Sequence, residues 1–182
     1  MLAKLQERRD KDEGGFTLIE LMVVVLIIAI LVAIAVPTFM GARTRAQDRS
    51  AQSTARNALT TARVLFTDDG DYGTNIGAGE ALAARMASID GGLTFQATAS
   101  TDASEVSMSG TDSADADTDY DVVFIAVLSD SGTCYMMQDN NNPLDTTATG
   151  GGVSYGSFQS TANSCVGTAT NPAGGWSQVS GW

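Results

Sequence analysis

Gly14-Gly15-Phe16-Thr17-Leu18-Ile19-Glu20 leads into an apolar run from Leu21 to Val36 that stops at Pro37, and the reading of this stretch decides the fold. Leu21–Val36 is sixteen residues without a charge; counted from Phe16 the segment has twenty-one, with Thr17 and Glu20 its polar members. At helical rise the longer count spans about 31 Å, roughly the hydrocarbon thickness of a bilayer. A membrane anchor is therefore the minimum reading. It leaves Glu20 unexplained, because an unpaired carboxylate in an apolar helix costs on the order of 3 kcal/mol and marks a functional position.

Working outward, the 182 residues suffice for one anchor and one modest domain. Residues 1–15 hold Lys4, Arg8, Arg9 and Lys11 against Glu7, Asp10, Asp12 and Glu13, which cancel. Phe16 to Trp182 holds six arginines, seventeen acids and no lysine, and so carries the whole net charge of −11. So acidic a surface disfavours nucleic acid, which needs clustered cations. The chain has no histidine, which excludes His-based catalysis and His metal ligands. Nor is there a Cys–His pairing or a phosphate-binding glycine loop, so the expectation is a protein that is not an enzyme. Cys134 and Cys165 lie well beyond the anchor. In a domain exported across a membrane they are expected to form a disulfide.

The small pair Gly14-Gly15 precedes the apolar run, and no small-x-small site follows it, unlike an ordinary secretory signal. Gly15-Phe16-Thr17-Leu18-Ile19-Glu20-Leu21, the aliphatic run and Pro37 together resemble the class III signal of bacterial type IV pilins and type II secretion pseudopilins. The likeness is close over residues 14–40 and looser to about 66. It implies a leader, residues 1–15, cut by a prepilin peptidase between Gly15 and Phe16, with methylation of the new Phe16 amine. It also implies that Glu20 pairs with that amine on a neighbouring subunit during assembly. The residues give a parallel account: cleavage creates a charged amine beside an acid that otherwise lacks a partner, and a buried pair of that kind fixes register. Basic residues number four before the anchor against Arg43, Arg45 and Arg49 soon after it, a margin of one for a cytoplasmic amino terminus.

Residues 16–37 form the transmembrane and assembly half of the helix in this reading, and Pro37 is expected to kink or loosen it. The helix resumes over 38–66 as an amphipathic extension, with Ala51, Ala55, Ala58, Ala62 and Leu65 on one stripe and Arg49, Arg56 and Arg63 on a neighbouring face. Turn chemistry from Thr67 to Gly73 ends the helix, the resemblance implies that residues 67–92 are a connecting loop opening with an aromatic such as Tyr72, and Glu80 to Ala87 within it has the composition of a short helix. Residues 93–182 read as a β domain: strands at Leu93–Thr98, Glu105–Ser109, Val122–Leu128 and Cys134–Gln138, a turn at Ser129-Asp130-Ser131-Gly132, and a loose Gly-rich tail from Thr146. The fold class expected is α+β, a pilin fold with its long N-terminal helix packed on a C-terminal antiparallel sheet that faces outward.

The alternating Asp115, Asp117, Asp119 and Asp121 fail as an EF-hand, because Tyr120 and Ala126 stand where Gly and Glu are required. Asp139, Asn141 and Asp145 form a second oxygen-rich set and the remaining calcium candidate; otherwise no cofactor is expected. The preferred function is a structural subunit of a type IV pilus. Its implied partners are identical or related subunits, the prepilin peptidase, assembly platform proteins and the membrane before assembly. A pseudopilin of a secretion or DNA-uptake system is the alternative inside the resemblance, and a monomeric membrane-tethered binding domain the alternative outside it. The expected location is the cytoplasmic membrane as precursor and the cell surface after assembly.

Overall fold

The computed structural model describes residues 15–72, 80–111, 121–141, 152–160 and 162–167. The chain divides into two units, residues 1–43 and 44–182. One helix, α1, runs Leu18–Asp69 with Pro37 inside it. In the first unit it presents large aliphatic side chains on every side, all exposed within the single chain.

In the second unit, α1 buries Ala51, Ala55, Ala58, Leu59, Ala62 and Leu65. Those positions recur every three or four residues, so they share one face. Gly70 ends the helix: it adopts φ 82° and donates its amide to the Phe66 carbonyl at 2.8 Å, a left-handed cap that a Cβ would strain. The short helix α2, Glu80–Ile89, adds Leu82, Ala83 and Met86 to the same core. Asp90 then turns the chain, its Oδ1 accepting the Gly92 amide at 2.8 Å.

Five strands form one sheet in sequence order: β1 Thr94–Gln96, β2 Glu105–Thr111, β3 Val122–Leu128, β4 Thr133–Asn140 and β5 Gly152–Gln159. The pairs β2–β3, β3–β4 and β4–β5 are antiparallel. The β1–β2 pair is parallel, with Thr94 opposite Glu105, so the sheet is mostly rather than wholly antiparallel. Residues 97–104 return the chain to the start of β1, a distance that three residues of strand make short. The turn at Ser129–Gly132 forms as expected, with Gly132 at φ 87° and the Ser129 amide bonded to the Thr133 carbonyl at 2.8 Å. Asp48 of α1 holds this turn by accepting the hydroxyls of Ser129, at 2.9 Å, and Ser131.

β3 is buried along its whole length. Val123, Ile125 and Val127 join the core beneath α1, while Ala126 and Leu128 face the other way onto Cys134, Met136, Cys165 and Phe158. The sheet is therefore covered rather than open on that second face. The cover is the segment around Cys165, held in three ways. Cys165 forms a disulfide with Cys134, Cα to Cα 5.5 Å. It pairs antiparallel with Ser100, through bonds of 2.7 and 3.0 Å. Gly167 lies so close over β2 and β3 that a Cβ would stand 2.7 Å from the Ser107 carbonyl oxygen. The β5 strand falls in the stretch whose sequence read only as a Gly-rich tail.

Candidate assembly site at the start of the long helix

Thr17 is the N-cap of α1 and Glu20 its third residue. The Glu20 Oε2 accepts the Thr17 amide at 2.8 Å and the Thr17 hydroxyl at 2.8 Å, and the Glu20 amide donates back to Thr17 Oγ1 at 3.3 Å. This is a capping box, in which side chains satisfy helix-start amides that have no partner within the helix. The spacing Thr-x-x-Glu ahead of an apolar run was the signal for it, and Thr17 is the functional residue that sequence reasoning missed. The second carboxylate oxygen, Oε1, receives no bond within the described residues.

The Gly15–Phe16 bond lies just before this cap, in exposed, non-helical backbone. Phe16 itself is 83 % exposed. Among the described residues a Cβ placed on Gly15 would meet nothing within 4 Å, so no packing there requires glycine. From Phe16 to Met40, eighteen large apolar side chains are exposed. Burying each is worth about 1.5–3 kcal/mol, so together they represent tens of kcal/mol that water does not satisfy. α1 is long and apolar enough to cross a membrane. The helix continues through Pro37, and Thr38 Oγ1 donates to the Ile34 carbonyl, one turn before Thr38, at 3.0 Å.

The calcium candidates divide. Asp139 is fully buried, and Arg63 grips both its oxygens: Nε to Oδ2 at 2.7 Å and Nη2 to Oδ1 at 3.1 Å. The Tyr72 hydroxyl also donates to Oδ2 at 2.9 Å, and the Asn141 amide donates to the Tyr72 oxygen at 2.6 Å. A cation at Asp139 would have to displace Arg63. Asp145 and Asp115, Asp117 and Asp119 lie outside the described residues. Among the described residues no three His, Cys, Asp or Glu side chains group to hold a metal. Burial, and then the neighbouring Asp139 charge, push the Tyr72 hydroxyl well above the usual tyrosine range.

The family profile described as the prokaryotic N-terminal methylation motif matches residues 10–36, the stretch that contains the exposed bond, the cap and the apolar run. Over this N-terminal stretch the chain is similar to type IV pilins. It is similar to the type IV wide pilus major component PilA4 of Thermus thermophilus, 37 % identical over 65 residues, which is 36 % of this chain and 50 % of that protein. It is also similar to the type IV major pilin protein PilA of Myxococcus xanthus, 41 % identical over 58 residues, 32 % of this chain and 26 % of the relative. The matches thus span half or less of these relatives. No solved structure gives a significant match. The motif and the exposed apolar helix fit a pilin-type chain that starts as a membrane-anchored precursor.

Proposed function

We propose that the chain is a structural subunit of a type IV pilus. A prepilin peptidase cuts after Gly15, the Phe16 amine is methylated, and the mature chain polymerises through α1 into a surface filament. The observation that carries this reading is the eighteen-residue set of apolar side chains, exposed among the described residues, which begins at an exposed Gly15–Phe16 bond. Lipid covers those side chains before assembly and neighbouring copies of the helix cover them afterwards, so their burial is kept while every backbone group stays bonded within a helix. Residues 1–15 act as leader, 16–37 as anchor and then filament core, and 38–66 as the platform for the β domain. Glu20 pairs with the Phe16 amine of a neighbouring subunit, and Pro37 marks where the helix can loosen on assembly. Assembly platform proteins extract the subunit from the membrane.

Electron microscopy of filaments sheared from cells tests the reading. Long fibres built of this chain are expected; their absence, with the cleaved protein retained in the membrane, would favour the short assemblies of a pseudopilin. Replacing Gly15 with a bulky residue should leave the leader attached, since Gly15 has no packing role of its own. A normally processed amino terminus in that variant would contradict the cleavage assignment.

A further inference from the structure

Residues 86–182 carry eleven acids and no cation, whereas all six arginines that follow Phe16 lie between Arg43 and Arg85. Within the unit that begins at Thr44, Arg45, Arg49 and Arg56 stand on one face of α1, within about 40° of one another at 3.6 residues per turn. All three are exposed. Among the described residues neither Arg45 nor Arg49 has an ion-pair partner. The core face of the helix, set by Ala51, Ala55, Ala58 and Ala62, points elsewhere.

On the other flank of the same helix, about 140° round from the arginines by the same helical spacing, Ser50 and Thr54 line a polar groove of about 490 Å³. Its remaining walls include Asp102, Ser104 and Asp130. Asp102 uses Oδ1 to accept the Ser104 amide and hydroxyl and the Glu105 amide, which leaves Oδ2 without a bond among the described residues. Asp130, at the tip of the β3–β4 turn, is exposed and forms no ion pair among the described residues. The groove thus offers two carboxylates, each with an oxygen to spare.

A cationic face and an anionic groove on different flanks of one helix make a head-to-tail contact. A copy whose arginines are engaged still presents its own groove, so the contact repeats without closing. Guanidinium and carboxylate pair through two parallel hydrogen bonds, which fixes orientation as well as attraction. We propose that in the filament the Arg45–Arg49–Arg56 face of one copy docks into the Asp102–Asp130 groove of the next. The inference rests on the filament reading and names the lateral contact that accompanies the packing of the apolar helices. A second copy is the fitting occupant because its acids and cations are segregated in just the complementary sense.

The test uses the full-length chain in cells with a prepilin peptidase and pilus machinery, and reads the yield of sheared filaments. R45E/R49E should lower the yield about tenfold or more, as like charges then face each other across the contact. D102N/D130R should do the same; Asn at 102 keeps the acceptor that Ser104 and Glu105 need. The combined four-site variant should recover filaments, which a mere folding defect would not allow. Parental filaments with undiminished yield in either charge variant, or no recovery in the combination, overturn the docking. If R45E/R49E loses filaments and adding D102N/D130R does not restore them, the arginines serve another partner, such as lipid headgroups, and the docking again fails. Absence of filaments from the parental chain would sink the filament reading itself.

Discussion

Within one chain, Glu20 spends only one of its two oxygens on the cap: both Thr17 donors go to Oε2. A carboxylate offers about four lone-pair sites, so an ammonium group from a neighbouring subunit can reach Oε1 without dismantling the helix start. The two roles are separable because a capping box accepts Gln as well as Glu at its third position. Glu20→Gln keeps the cap and removes the charge, so it should give a processed precursor with few or no filaments. Thr17→Ala keeps the charge and loses the hydroxyl, at a cost of about 1 kcal/mol of helix stability, and should still assemble. Sheared-filament yield together with the mature amino-terminal sequence reads both outcomes. Normal filaments from Glu20→Gln would show that Glu20 serves the helix start alone.

Between elements, Arg63–Asp139–Tyr72 is a charge-assisted polar tie that fastens α1 and the residues just after it to β4. Arg63 is 51 % exposed while Asp139 is 1 % exposed. Removing Arg63 would therefore strand a buried carboxylate, and Arg63→Ala should cost about 2–3 kcal/mol, below the full penalty for a broken buried pair because Tyr72 still donates to Asp139. Tyr72 adds a pH signature. Its ionisation is raised in the folded chain, so the folded state keeps a proton that the unfolded state gives up above about pH 10. Stability is then complete below that pH and falls as pH rises further. Tyr135, raised by burial first and by Asp48 next, contributes in the same direction. Tyr72→Phe should flatten, and not abolish, the alkaline loss of stability in thermal unfolding of the chain in detergent; an unchanged alkaline slope would contradict the assignment. How far the elements were legible follows from the type of signal. The alanine stripe of α1, the apolar β3 and the Gly132 turn rest on local periodicity and turn chemistry, and they stand where the sequence put them. Asp139 was visible only as an oxygen-rich neighbour of Asn141, because its partner Arg63 lies 76 residues away. The β5 strand escaped because Gly152 and Gly156 interrupt its pattern, and it exists by pairing with β4 along its whole length.

Across the whole molecule, local sequence signals specify the helix, while the far side of the sheet depends on long-range closure. The Cys165 segment crosses back over β2 and β3 to cover Ala126, Leu128 and Met136, and only the disulfide to Cys134 was foreseeable from composition. The Ser100 bridge and the close approach of Gly167 arise from backbone geometry that no residue pattern announces. These ties divide the work of holding the cover. The Ser100 Oγ also accepts the Leu128 amide at 2.9 Å, so this one residue ties the β1–β2 connection to the cover through its backbone and to the end of β3 through its hydroxyl. The disulfide closes a loop across a separation of 31 residues. On chain-entropy grounds it contributes about 3–4 kcal/mol, chiefly by restricting the unfolded chain. Replacing both cysteines by serine should therefore lower stability by about that amount and expose the second face of the sheet. Near-ultraviolet circular dichroism through a denaturant series, with a dye that binds exposed apolar surface, measures both effects. On the proposed reading, leader cleavage and membrane insertion should be unaffected, because that reading assigns them to Gly15 to Pro37. A serine variant within about 1 kcal/mol of the parent would mean that Ser100 and Gly167 already hold the cover and that the disulfide adds little to a chain so constrained.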